Sequence, residues 1–115
     1  MSHVVEITRV AVKPGEEDAL LADRPAMVKA FARDRSGFRG AYLARLDGGD
    51  WLDLVLWNSP EDADASHEKG PNLPEIGAFF SHIAELKSME HATVVHVPGV
   101  EHLEPGQAPG IGSDD

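Results

Sequence analysis

The stretch Asp47–Trp57, DGGDWLDLVLW, constrains the fold more than any other part of the chain. Gly48 and Gly49 can take the positive φ angles of a tight turn, and the residues after them are rich in β-forming and aromatic side chains. A hairpin is therefore predicted, with FRGAYLARL (Phe38–Leu46) as its first strand and Trp51 to about Asn58 as its second. With the two glycines at the turn, Leu46 pairs with Trp51, Ala44 with Asp53, Tyr42 with Val55 and Gly40 with Trp57.

Alternation divides the second strand into two faces. Leu52, Leu54 and Leu56 form one, expected to pack beneath helices. Trp51, Asp53, Val55 and Trp57 form the other. A face with both of the chain's tryptophans is too apolar to leave to water. A second copy of the chain or a ligand is expected to cover it, and a dimer enclosing a cavity meets both demands. Asp53 then belongs to a cavity wall. A wet sheet surface, or an arginine partner across a dimer, would also accommodate it.

The other elements follow from local signals. HVVEITRVAV (His3–Val12) reads as a strand, with Glu6 and Thr8 on the more polar face, assigned to the cavity, and Arg9 on the helix side. A helix is predicted from Glu16 to about Arg33, with Leu20, Leu21, Met27, Val28 and Phe31 at helical spacing and Pro25 kinking or dividing it. Ser59 as N-cap and Pro60 at the first helical position open a second helix that ends at Gly70. A further helical segment is expected over Glu75–Lys87, with Ile76, Phe79, Phe80, Ile83 and Leu86 on one face, and a last strand over Met89–Val97. The order β-α-β-β-α-β is an α+β, ferredoxin-like arrangement with a four-stranded antiparallel sheet. Residues 1–97 are expected to form this domain and 98–115 a Pro/Gly-rich tail.

Twenty acidic against ten basic residues give a net charge of −10, which disfavours nucleic acid and anionic lipid as partners. No apolar run approaches membrane-spanning length, and MSHVVEITRV lacks the pattern of a signal peptide. With no cysteine, thiolate chemistry is excluded and the cytoplasm is the default compartment. His91 and His96 lie an odd number of residues apart, so they cannot share a metal within one regular strand. His3, His82 and His102 show no ligand spacing, so no metal site is expected.

The segments VKPGEEDALL, SGFRGAYLARLDGGDWLDLVLWNSPEDADA and IGAFFSHI resemble the antibiotic biosynthesis monooxygenase superfamily, over about Val4 to Val97. The resemblance implies a homodimeric α+β barrel with a pocket between sheet and helices in each protomer. It implies several chemistries: oxidation of polycyclic aromatic phenols or quinols by O₂ without metal, flavin or haem; haem degradation; and polyketide cyclisation. The haem-degrading pattern places an Asn at Thr8, a Trp near Ser66 or His67 and a His near Ile76 or Gly77, and none of these matches.

The oxygenase chemistry needs a base to deprotonate the substrate and an aromatic-lined pocket that excludes water. Asp53, His67 and Glu6 are the candidate bases, Asp53 and His67 foremost. Thr8, Tyr42, Trp57, Phe79 and Phe80 are candidate substrate contacts alongside Glu6. Each has a plainer role open to it: His67 could serve the C-terminal helix dipole, Phe79 and Phe80 core packing, Tyr42 and Trp57 a dimer interface. The expected function is a cofactor-free monooxygenase acting on a small aromatic ligand. The alternatives are a non-catalytic dimeric binding module or a polyketide cyclase.

Overall fold

A computed structural model describes residues 3–96. The expected tail, 98–115, lies outside them. The described residues form strands β1 (Val4–Val12), β2 (Phe38–Arg45), β3 (Trp51–Trp57) and β4 (Ile83–Thr93) and helices α1 (Glu17–Asp34), α2 (Pro60–Lys69) and α3 (Pro74–Phe80). The sheet is antiparallel in the order β2-β3-β1-β4, with the helices packed on one side, so the predicted α+β arrangement is present.

The faces of β3 are the reverse of the sequence expectation. Trp51, Asp53, Val55 and Trp57 are all buried and join a core with Leu20, Met27, Phe31, Ile76 and Phe79. Leu52, Leu54 and Leu56 lie half-buried on the open face. Both rows are apolar, so alternation could not choose between them. Asp53, the one charged residue of the buried row, is accommodated inside by an arginine from α1.

The hairpin register also differs by one residue. Arg45 pairs with Trp51, Leu43 with Asp53, and Tyr42 with Leu54, with an irregularity between Phe38 and Gly40. The loop Leu46–Asp50 includes Asp47, and Gly49 takes its positive φ of 103°. A one-residue slip turns every side chain of a strand over. Tyr42 therefore lies on the open face, 68% exposed, and not beside Asp53. On β1, Glu6 and Thr8 share the helix side with Val10, so Arg9 projects from the other face, where it donates to Asp50.

A single helix α1 runs through Pro25. The ring is exposed, and the Leu21 carbonyl it cannot bond belongs to an exposed turn where water is available. Helix α2 begins as read: Ser59 Oγ accepts the Asp62 amide at 3.1 Å, Pro60 occupies the first turn, and Gly70 ends the helix. Gly37, at φ +76°, lies where an added Cβ would stand 2.0 Å from an Asp62 oxygen, so only glycine lets this turn approach α2.

The largest departure is after Phe80. The expected helix to Lys87 stops at Phe80, and β4 starts at Ile83. Two irregularities in the β1–β4 ladder, at Arg9/Val10 and Ala11/Val12, explain the misleading pattern. They bring Ile83, Leu86 and Met89, three residues apart, opposite Val12, Val10 and Thr8 on one face of the sheet. A bulged strand thus imitates a helical period.

Candidate functional site

A cavity of about 330 Å³ opens between the helix side of the sheet and the end of α2. Glu6, Thr8 and Val10 of β1 and Asp53 and Val55 of β3 form its floor. Phe31 and Arg35 close one side, His67, Gly70 and Pro71 a second, and Phe80, Ile83, Leu86 and Met89 a third. Most of these side chains are apolar, as in small-molecule sites, where a few polar groups fix orientation.

The polar groups fall into two sets. Asp53, 8% exposed, receives two parallel hydrogen bonds of 2.8 Å from Arg24 Nη1 and Nη2. Arg24 is itself buried and lies 5.1 Å over the Phe79 ring. Both carboxylate oxygens of Asp53 are engaged by a permanent cation, a poor arrangement for a group that must take up a proton.

The second set is Glu6 and His67. Glu6 is 7% exposed; its Oε1 accepts the indole N–H of Trp57 at 3.0 Å, and its Oε2 meets Nε2 of His67. His67 comes from the last turn of α2 and keeps part of its ring open to solvent. This is a buried carboxylate orienting an imidazole, with the tautomer set by the bond the carboxylate receives. With Nε2–H directed to Glu6, the lone pair at Nδ1 remains to accept a proton.

Arg35 shapes the wall beside them. Its Nε donates to Ser66 Oγ at 2.8 Å, Nη1 to Asp34 and Asn72 at 2.7 Å each, and Nη2 to the Gly70 carbonyl at 2.6 Å. It also stacks 4.9 Å over Phe31. Sequence reasoning did not single out Arg24 or Arg35. Both are charged residues in or beside helical segments that read as solvated, and no local spacing distinguishes them.

Of the residues expected at the site, the structure brings Glu6, Thr8, Asp53, His67 and Phe80 together around the cavity. Trp57 and Phe79 are core residues, 0% and 1% exposed, lying behind it. Trp57 packs 6.2 Å from Phe31 and 5.8 Å from Phe38, and reaches the site only through its bond to Glu6. Tyr42 is on the opposite side of the sheet.

No family model matches the chain, and no curated protein matches it. Solved structures do. A candidate antibiotic biosynthesis monooxygenase from Bordetella bronchiseptica superposes with a TM-score of 0.71 at 21% identity, over 84% of this chain and 100% of that one. A second, from Caulobacter crescentus CB15, gives 0.63 at 15% identity over 83% and 92%. SnoaB, a cofactor-independent oxygenase from Streptomyces nogalater, gives 0.54 at 20% identity over 87% and 98%. At these identities the likeness establishes a shared fold. The resemblance read from the sequence holds at that level.

Proposed function

We propose that this chain, with the fold of the antibiotic biosynthesis monooxygenase structures, is a cofactor-independent oxygenase for an electron-rich aromatic phenol or quinol. The observation that carries this reading is the Glu6–His67 pair on the wall of a mostly apolar cavity. His67, oriented by Glu6, takes the acidic proton of an anthrone-type substrate. The resulting anion passes one electron to O₂, and the radical pair recombines at carbon. The peroxide so formed loses water, leaving one oxygen atom on the substrate as a carbonyl and the other in the water released. Phe31, Phe80 and Met89 supply apolar lining, which disfavours water beside the radical pair. Asp53 holds Arg24 and thereby the floor of the cavity, a positioning role.

In this reading the molecule works as a homodimer. Val5, Ile7, Leu52, Leu54, Leu56 and Tyr42 form an apolar patch on the open face of the sheet, bordered by Arg9 and Glu90 and suited to a second copy.

The test is oxygen uptake by the metal-free protein with a panel of anthrones and dihydroquinones. Wild type is expected to exceed the uncatalysed rate, and His67→Ala and Glu6→Gln to lose about 10²-fold or more. Tight binding of an aromatic without uptake would replace the oxygenase with a binding module or a cyclase.

A further inference from the structure

We propose that Glu6, His67 and His91 form a binding site for a first-row divalent cation of the zinc class. The three residues come from three elements. Glu6 lies on β1, His91 stands directly opposite it on β4, and His67 descends from the last turn of α2. One ligand atom from each lies within 4.8 Å of the other two. The imidazole rings of His67 and His91 are 6.0 Å apart and meet edge to face at 68°.

The donor set selects the class of ion. Two imidazole nitrogens and one carboxylate oxygen are a zinc-type combination, and three protein ligands leave a coordination position open. Calcium and magnesium prefer all-oxygen surroundings. Tetrahedral bonds of about 2.1 Å hold ligand atoms roughly 3.4 Å apart, so Glu6 and His67, whose donors meet directly, must part to admit the ion, while His91 stands within reach of both. The two histidines are solvent-exposed and free to make that adjustment by rotation.

Glu6 is already arranged as a ligand. Trp57 occupies Oε1 with its indole N–H, which fixes the carboxylate plane and leaves Oε2 directed at His67. Outer hydrogen bonds of this kind orient metal-binding carboxylates and raise affinity. A cation would also give a buried acid a positive neighbour at any pH where the histidines are neutral. No single strand or helix carries two of the ligands, which is why spacing along the sequence gave no sign of the site.

This inference does not rest on the oxygenase reading. A cation on His67 would engage the pair which that reading uses as base, so cation binding and metal-free turnover are separate measurements.

The experiment is titration of the chelator-stripped full chain with Co²⁺ and Zn²⁺, without substrate. Calorimetry reads stoichiometry, and the visible absorption of Co²⁺ reads coordination geometry. One equivalent is expected to bind with the spectrum of a four- or five-coordinate N/O site. His91→Ala and His67→Ala should each weaken binding about tenfold or more, while His96→Ala, outside the cluster, should bind as wild type does. Circular dichroism of the variants separates loss of a ligand from loss of fold. An absence of binding up to roughly millimolar ion, typical of no designed site, would overturn the proposal. So would wild-type affinity in folded His91→Ala and His67→Ala.

Discussion

Arg24 of α1 grips Asp53 of β3 through two parallel hydrogen bonds of 2.8 Å, with both side chains about nine-tenths buried. This pair allows a strand of tryptophans to carry a carboxylate into the core. Removing one partner strands the other charge in a low-dielectric interior. Asp53→Ala and Arg24→Ala should each cost about 3–5 kcal/mol. The double replacement Arg24→Met with Asp53→Leu should recover most of the loss. Urea unfolding of the three variants checks this; a single substitution costing well under a kilocalorie would show that the pair is not desolvated.

Trp57 links the core to the site. Its ring is fully buried, and its indole N–H satisfies Glu6 Oε1. Trp57→Phe deletes the donor and part of the packing, leaving a buried acceptor unpaired at about 1–3 kcal/mol. Because the ring does not line the cavity, weaker aromatic binding in the variant would arise through a displaced Glu6. Denaturation midpoints, read with the affinity for an aromatic probe, distinguish the two effects. Unchanged stability would mean that the bond contributes nothing net.

His82 supplies a pH-dependent contribution. Its ring accepts no apolar role; it lies between Glu16, 2.9 Å from Nδ1, and Asp23, 2.7 Å from Nε2, tying the start of β4 to α1. The bonds to Glu16 and Asp23 raise its pKa above the ordinary 6.5, against a smaller opposing effect of desolvation. A raised folded-state pKa stabilises the fold in full below the unfolded pKa, and the contribution disappears as pH rises through the folded value. Wild type should therefore lose stability relative to His82→Gln on going from pH 6 to the alkaline side of that raised pKa. Parallel stability–pH curves for the two proteins would contradict the coupling.

Strand and helix order could be read from turn and cap chemistry because those signals are local. Gly48 and Gly49 marked the hairpin, Ser59-Pro60 marked α2, and Gly70 ended it. The choice of face on β3 was not local, since it depended on Arg24, 29 residues earlier in the chain, being present to neutralise Asp53. The register of β2 was lost to one extra loop residue, Asp47, and with it the side of the sheet on which Tyr42 lies. For β4, bulges gave strand residues a period of three, and pairing with β1 overrode the helical pattern. Glu6 and His67 were visible as ionisable residues in amphipathic surroundings. Their contact across 61 positions was not, nor was the place of His91 opposite Glu6.

The open face of the sheet sets the last prediction. Leu54 lies at its centre, flanked by Ile7 on β1 and Tyr42 on β2, with Leu52 and Leu56 on either side along its own strand. Tyr42, 68% exposed, projects from this layer. Apolar area buried against a second copy contributes roughly 25 cal/mol per Å², so covering this patch would favour association strongly. A lysine at its centre would bring an uncompensated charge into the interface while remaining solvated in a separate protomer. Wild type should therefore sediment as a dimer and Leu54→Lys as a monomer with an unchanged far-ultraviolet dichroism spectrum. A monomeric wild type at micromolar concentration would remove the dimer and leave the open face to another partner. A dimeric Leu54→Lys would place the interface elsewhere on the molecule.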